Sequence, residues 1–275
     1  MGREHIDATV IPLRERASFV FLERGVLRAS GYSLLLDQKE REILVPVGAA
    51  VVIGLEPGVS VTHEAMKLCA EHGTLLLWVG EQSVRVYGAG LAISSKTAER
   101  LIDQVRKHLD PATRVTVARR FYERMFGEPP EETRSIEKLR GIEGQKVRAL
   151  YRSLGEQHGL QIAGRVDAPK LLQQAMGYAT ACLYGLSEAV ILAAGYSPAI
   201  GFIHSGDPRS LCFDLADTVK FRTVIPAAFA VYARGCDDVR AEARRACRDL
   251  FSAERTIALL FDNLLYAIEG DVCSA

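Results

Sequence analysis

One histidine and three aspartates crowd into the 21 residues from Gly201 to Phe221, GFIHSGDPRSLCFDLADTVKF. His204 lies in a glycine-bounded loop with Asp207. Asp214 and Asp217 fall in FDLADTVKF, whose apolar residues Phe213, Ala216 and Val219 recur at helical spacing. Carboxylates three residues apart share one helical face, so Asp214, Asp217 and the loop histidine can converge on a divalent cation. Asp217 sits a turn deeper beside the apolar face and carries more weight than Asp214. Lys220 follows three residues later, where an ammonium neutralises a carboxylate or contacts phosphate.

A third acid stands about 60 residues upstream. In the helical pattern that begins at Ser135, the apolar stripe Leu139, Val147, Leu150, Leu154 skips one turn, and the skipped position is Glu143. It is four residues from Leu139 and four from Val147, so it faces the core side. A carboxylate there needs a cation or hydrogen-bond donors to compensate its burial. Gly141 and Gly144 flank it and allow close approach. Plainer roles are also open: Arg140 or Arg148 can pair with Glu143, His204 can be a packing residue, and Asp214 can cap a helix.

Two carboxylates and an imidazole suit Mg²⁺ or Mn²⁺, and the nitrogen donor favours Mn²⁺; by ligand type zinc also fits. A cation so held stabilises the attacking and leaving oxygens of an in-line phosphoryl displacement. Basic residues recur around the same elements: Arg119, Arg120, Arg140, Lys146, Arg148 and Arg152, then Arg244, Arg245 and Arg248. Each is ordinarily a solvated helix face; on one surface they would follow a nucleic-acid backbone.

The elements that must position these groups divide at about residue 92. From Ser18 to Gly88 the pattern is of short β runs, FVFL, VLRA, SLLL, EILVPV, AVVIGL, TLLLWV and SVRVY, broken by turn residues. One helix interrupts them, THEAMKLCAEH, with Thr62 as its N-cap and Gly73 just past its end. Ser94 and Ser95 can cap a helix running to about Leu109, and Asp110-Pro111 starts another that stops near Gly127. GEPPEET is a stiff polar connection, and from Ser135 onward almost everything reads helical. The expected fold is therefore α+β: a small N-terminal β domain, residues 1–92, then an all-α C-terminal catalytic domain, residues 93–275.

Composition narrows the class. The chain has 275 residues, 48% hydrophobic and 25% charged, with 34 basic and 34 acidic side chains. Bulk charge therefore does not mark a nucleic-acid binder, and a phosphate-binding surface must come from local clustering. The six cysteines form no CxxC pair, which points to reduced thiols in a cytoplasm. The N-terminus lacks a signal-peptide pattern, and the longest charge-free run, Leu171 to Ser187, reads as a buried helix rather than a membrane span. No P-loop, GxSxG or HExxH occurs.

RGIEG (Arg140 to Gly144), LYGLSEAVILAAGYSPAIGFIHSG (Leu183 to Gly206) and DLADTVKF (Asp214 to Phe221) resemble the CRISPR-associated integrase Cas1 in its subtype I-E branch, as do IPLRER, LEPGVSVTHEA and LLLWVGEQSVRVYGAG near the N-terminus. The resemblance covers nearly the whole chain. It implies Glu143, His204 and Asp217 as catalytic metal ligands, with Asp214 as the first acid of the DxAD motif. It implies homodimers flanking a small partner, Cas2, and insertion of foreign DNA into a CRISPR array by transesterification. It further implies DNA contacts at Lys67, Arg85, Arg245 and Arg248, beside Arg140 and Lys220 from the site itself. Tyr184 matches an aromatic that stacks at a DNA fork, whereas Ser60 replaces a basic residue and Val166 stands near an expected second tyrosine. The same site could instead serve a metal-dependent nuclease or branched-DNA resolvase, or be dead in a DNA-binding scaffold.

Overall fold

The computed structural model describes residues 17–39, 41–45, 47, 50–79, 86–90, 95–128, 135–253 and 255–270. Internal contacts divide the chain into two compact units, Met1–Val79 with Tyr87–Ser94, and Gly80–Val86 with Ser95–Ala275. The expected boundary at residue 92 and the candidate Arg85 lie outside the described residues.

The first unit is built from two four-stranded sheets. One has the order β1 (Ala17–Leu22), β5 (Ala50–Leu55), β7 (Leu75–Val79), β8 (Val86–Gly90), with β5 parallel to both β1 and β7. The other runs β4 (Arg41–Val45), β3 (Ser33–Gln38), β2 (Gly25–Ser30), β6 (Val59–Val61). Ser30 pairs with Ser33, so β2 and β3 are joined by a two-residue loop, and Gly31 takes the positive φ of 61° that such a turn requires. Period-two alternation buries Leu34 and Leu36 of β3 against Leu22, Leu27, Ile53 and Leu76. Helix α1 (His63–Glu71) closes this core with Ala65, Leu68 and Cys69. Thr62 caps it as expected, accepting from the Ala65 amide.

The second unit is helical: α2 (Ser95–Leu109), α3 (Pro111–Phe126), α4 (Ile136–Gln157), α5 (Lys170–Ala194), α6 (Ser210–Lys220), α7 (Val224–Arg234), α8 (Val239–Ala253) and α9 (Thr256–Glu269). Helix α3 starts where Asp110 accepts from the Thr113 amide and Pro111 takes the first helical position, where its missing N–H removes no bond. It ends at Gly127 with φ 77°. Helix α5 is long and apolar enough to cross a membrane, but α6, α7, α8 and α9 pack around it and it serves as the core helix. Among the described elements, the short strand β6, helix α7 and the 3-10 turn Arg165–Asp167 are absent from the sequence reading.

Helix α6 lies against α3, α5, α7 and α9. Leu211, Leu215 and Val219 are fully buried, and each such side chain contributes roughly 1.5–3 kcal/mol. That gain also carries Asp214 and Asp217 into the interior, 0% and 6% exposed. Burying a lone carboxylate costs several kcal/mol, so both acids require partners.

Candidate active site on helices α3, α4 and α6

Asp214 has four partners. Its Oδ2 accepts from the amides of Phe202 and Ile203 at 2.6 and 3.0 Å. Its Oδ1 accepts from the His204 amide at 2.9 Å and meets His204 Nδ1 at 2.8 Å. The carboxylate thus caps the preceding loop rather than its own helix, and does not turn towards a shared cation. Facing a carboxylate, His204 Nδ1 carries the proton and Nε2 is left as the lone-pair nitrogen. The hydrogen bond to Asp214 raises the His204 pKa against the opposing effect of burial. Phe213 packs edge-on against the ring, with centroids 5.6 Å apart.

Glu143 is half-buried on α4, as its place in the apolar stripe requires. Its partner is neither Arg140 nor Arg148 but Tyr122 of α3, whose hydroxyl donates to Oε2 at 2.8 Å. Burial raises the Glu143 pKa; the Tyr122 bond opposes this, Asp217 adds to it, and His204 and Lys220 oppose it. Glu143, Asp217 and His204 are therefore electrostatic neighbours. Tyr122 was invisible in the sequence, because a fully buried aromatic on a helix reads as core.

Asp217 is held by Lys220, Nζ to Oδ1 2.5 Å, with the two side chains 7% and 16% exposed. Burial would lower the Lys220 pKa, but the Asp217 carboxylate and the hydroxyls of Tyr184 and Tyr151 outweigh it, and the net direction is upward. A small cleft of about 80 Å³ lined by Phe126, Lys146, Val147, Leu150, Phe221 and Arg222 opens onto Asp217. As the side chains stand, no three His, Cys, Asp or Glu groups among the described residues are drawn close enough to hold an ion. Asp217 takes an ammonium and Glu143 a hydroxyl instead. The donor set nevertheless suits a hard divalent cation, with one imidazole nitrogen held by a carboxylate behind it and two carboxylates that bind their present partners on one side.

The loop that carries His204 is fixed from several directions. Gly201 is buried, and a Cβ there would stand 2.6 Å from the His204 carbonyl oxygen and 2.8 Å from the Ser210 main chain. His108 Nδ1 lies 2.7 Å from the Gly201 oxygen, Arg114 Nε donates to the Phe202 oxygen at 2.9 Å, and Arg140 donates to the Ile203 oxygen at 2.6 Å. Arg140, expected at DNA, thus spends one nitrogen on the loop. His108 and Arg114 were not legible as site residues, since basic side chains on amphipathic helices look like solvated faces.

The remaining expected DNA contacts are scattered. Lys67 is exposed on α1, 3.7 Å from Glu71. Arg245 and Arg248 are exposed on α8, beside Glu242 at 2.6 Å and Asp249 at 3.4 Å. Tyr184 of α5 lies against Phe213, centroids 4.9 Å apart, with the Lys220 ammonium 6.0 Å from its ring. Ser60 is exposed on β6, and Val166 is 88% exposed on a single 3-10 turn, Arg165–Asp167.

The family model described as CRISPR associated protein Cas1 matches residues 19–128 and 127–236. The CRISPR-associated endonuclease Cas1 of Escherichia coli K12 is 44% identical over 257 residues, which is 91% of this chain and 84% of that protein. The enzyme of the same description from Geobacter sulfurreducens is 41% identical, over 90% and 83% of the two chains. Among solved structures, TtCas1 in complex with DNA superposes with a TM-score of 0.81 at 33% identity, over 94% of this chain and 98% of that one.

Proposed function

Because this chain belongs to the CRISPR-associated Cas1 family, we propose that it is a divalent-metal-dependent DNA integrase of CRISPR adaptation. It joins the 3′-hydroxyl ends of foreign DNA fragments to the CRISPR repeat by transesterification. One P–O bond forms to the incoming hydroxyl and one breaks towards the displaced 3′-oxygen, so no protein nucleophile is needed. The observation that carries the reading is His204, held at Nδ1 by Asp214 and offering Nε2, with Glu143 on α4 and Asp217 on α6 as its electrostatic neighbours. Glu143, His204 and Asp217 hold Mg²⁺ or Mn²⁺, which when bound supplies charge stabilisation at the phosphoryl oxygen. Asp214 orients the imidazole. Lys220, released from Asp217, turns to a phosphate. Lys67, Arg85, Arg140, Arg245 and Arg248 follow the DNA backbone and Tyr184 stacks at a fork. The chain works as a homodimer with a Cas2 partner in the cytoplasm.

A hydrolytic reading, in which water replaces the 3′-hydroxyl, draws on the description of the relatives as endonucleases. Product analysis separates the two, since integration leaves donor DNA covalently attached to a repeat-containing plasmid and hydrolysis does not. His204→Ala and Asp217→Ala, checked for folding, are expected to abolish joining. Wild-type joining by either variant would overturn the site. Persistent DNA affinity with no Mn²⁺ binding in the wild type would instead favour an inactive scaffold.

A further inference from the structure

The loop from Gly201 to His204 has no regular secondary structure, yet all six main-chain polar groups from the Gly201 oxygen to the His204 amide are bonded to side chains. Three amides go to Asp214 of α6, and three carbonyls go to His108 of α2, Arg114 of α3 and Arg140 of α4. Phe202 and Ile203, 0% and 2% exposed, plug the loop into the core between these bonds. Resting on the proposed metal-dependent reading, we propose that His108, Arg114 and Arg140 are positioning residues that fix His204 from behind.

The reasoning is geometric. Asp214 alone would anchor the loop on one edge and leave it free to pivot about that carboxylate, swinging the imidazole with it. Three donors from three different helices grip consecutive carbonyls on the other edge and remove that freedom. The His204 ring is then left with one orientation and one tautomer, Nδ1 protonated towards Asp214 and Nε2 outward. A guanidinium is suited to the task, because it is always charged and its donors are fixed in a plane. None of the three needs to touch substrate to act.

The test uses Arg114→Met, which keeps the aliphatic stem, Arg114→Lys as the conservative rescue, and His108→Phe, which keeps an aromatic ring at the position and removes the Nδ1 donor. The first readout is the ¹⁵N-histidine spectrum of the metal-free protein, which reports the His204 tautomer without any activity. The second is the kcat and KM of DNA joining. Arg114→Met and His108→Phe are expected to mix the His204 tautomers and to lower kcat about 10–100-fold with KM unchanged, and Arg114→Lys to restore most of both. If Arg114→Met fails to fold, His108→Phe carries the same two readouts. An unchanged His204 spectrum in the folded variants overturns the proposal, and a rise in KM with that spectrum unchanged reassigns Arg114 to DNA contact. If wild type joins no DNA, the proposed reaction fails while the spectrum still decides the positioning role.

Discussion

The Lys220 ammonium lies 2.5 Å from Asp217 Oδ1, one turn along the same helix, in a pair almost sealed from solvent. The protein carries its own cation against a carboxylate proposed to bind a metal, so metal entry at Asp217 would require the release of Lys220.

Lys220→Met therefore separates the two cations. It leaves Asp217 buried and uncompensated, and the metal-free variant is expected to lose about 3 kcal/mol of stability. Mn²⁺ should then raise its Tm by more than it raises that of wild type, because no ammonium has to be displaced. Differential scanning calorimetry with and without Mn²⁺ measures both, and equal Mn²⁺ shifts in the two proteins would refute the coupling.

Tyr122→Phe removes the hydroxyl that donates to Glu143 Oε2 while keeping the ring in its 1% exposed position. Leaving a buried acceptor without its donor costs about 1–3 kcal/mol. The Glu143 carboxyl, already raised by burial, should rise further. Urea denaturation at neutral and at mildly acidic pH checks this: the loss should be larger at neutral pH, where Glu143 must ionise.

The pH dependence of His204 follows from its hydrogen bond to Asp214, which holds its pKa above the ordinary imidazole value of about 6.5. The stability this bond contributes is fully present below that ordinary value and is lost as pH rises through the raised one. Metal binding runs the opposite way, because a ligand imidazole must be neutral, so Mn²⁺ affinity should climb through the same window. In Asp214→Asn the midpoint of that climb is expected to move to lower pH, as titration calorimetry across a pH series would show. An unmoved midpoint would mean that another group governs it.

Arg245 and Arg248 stand exposed on one helix, each beside a single acid. If each neutralises one phosphate, replacing both by Gln should reduce the slope of log Kobs against log salt by about 2, uniformly across DNA sequences. Fluorescence anisotropy at several salt concentrations reads this slope. A sequence-dependent loss would place them at base edges instead.

Much of this was legible from residue type and period. Glu143 stands out in the sequence by interrupting an apolar stripe, and in the structure its side chain is half-buried and meets the Tyr122 hydroxyl. The division into a β unit and a helical unit followed from where period two gives way to period 3.6. Helix α7 holds Pro226 at its third helical position, whose N–H has no partner inside the helix, so the proline does not interrupt it. Strand β6 has three residues and shows too little alternation to register. Tyr122, His108 and Arg114 escaped for a different reason. Their roles lie in which distant carbonyl or carboxylate they reach, and only tertiary packing decides that.

The side-chain bonding of the His204 loop also ties the site's lifetime to that of the whole helical unit. A loop satisfied by water or by its own turns can open alone, at little free energy. Here the amides of Phe202, Ile203 and His204 cannot reach solvent until contacts with α6 part, and the carbonyls hold α2, α3 and α4 to the same loop. Hydrogen exchange at these three amides should therefore run at the rate of global unfolding. His204 then has no locally melted state in which a protease or a misplaced substrate could find it.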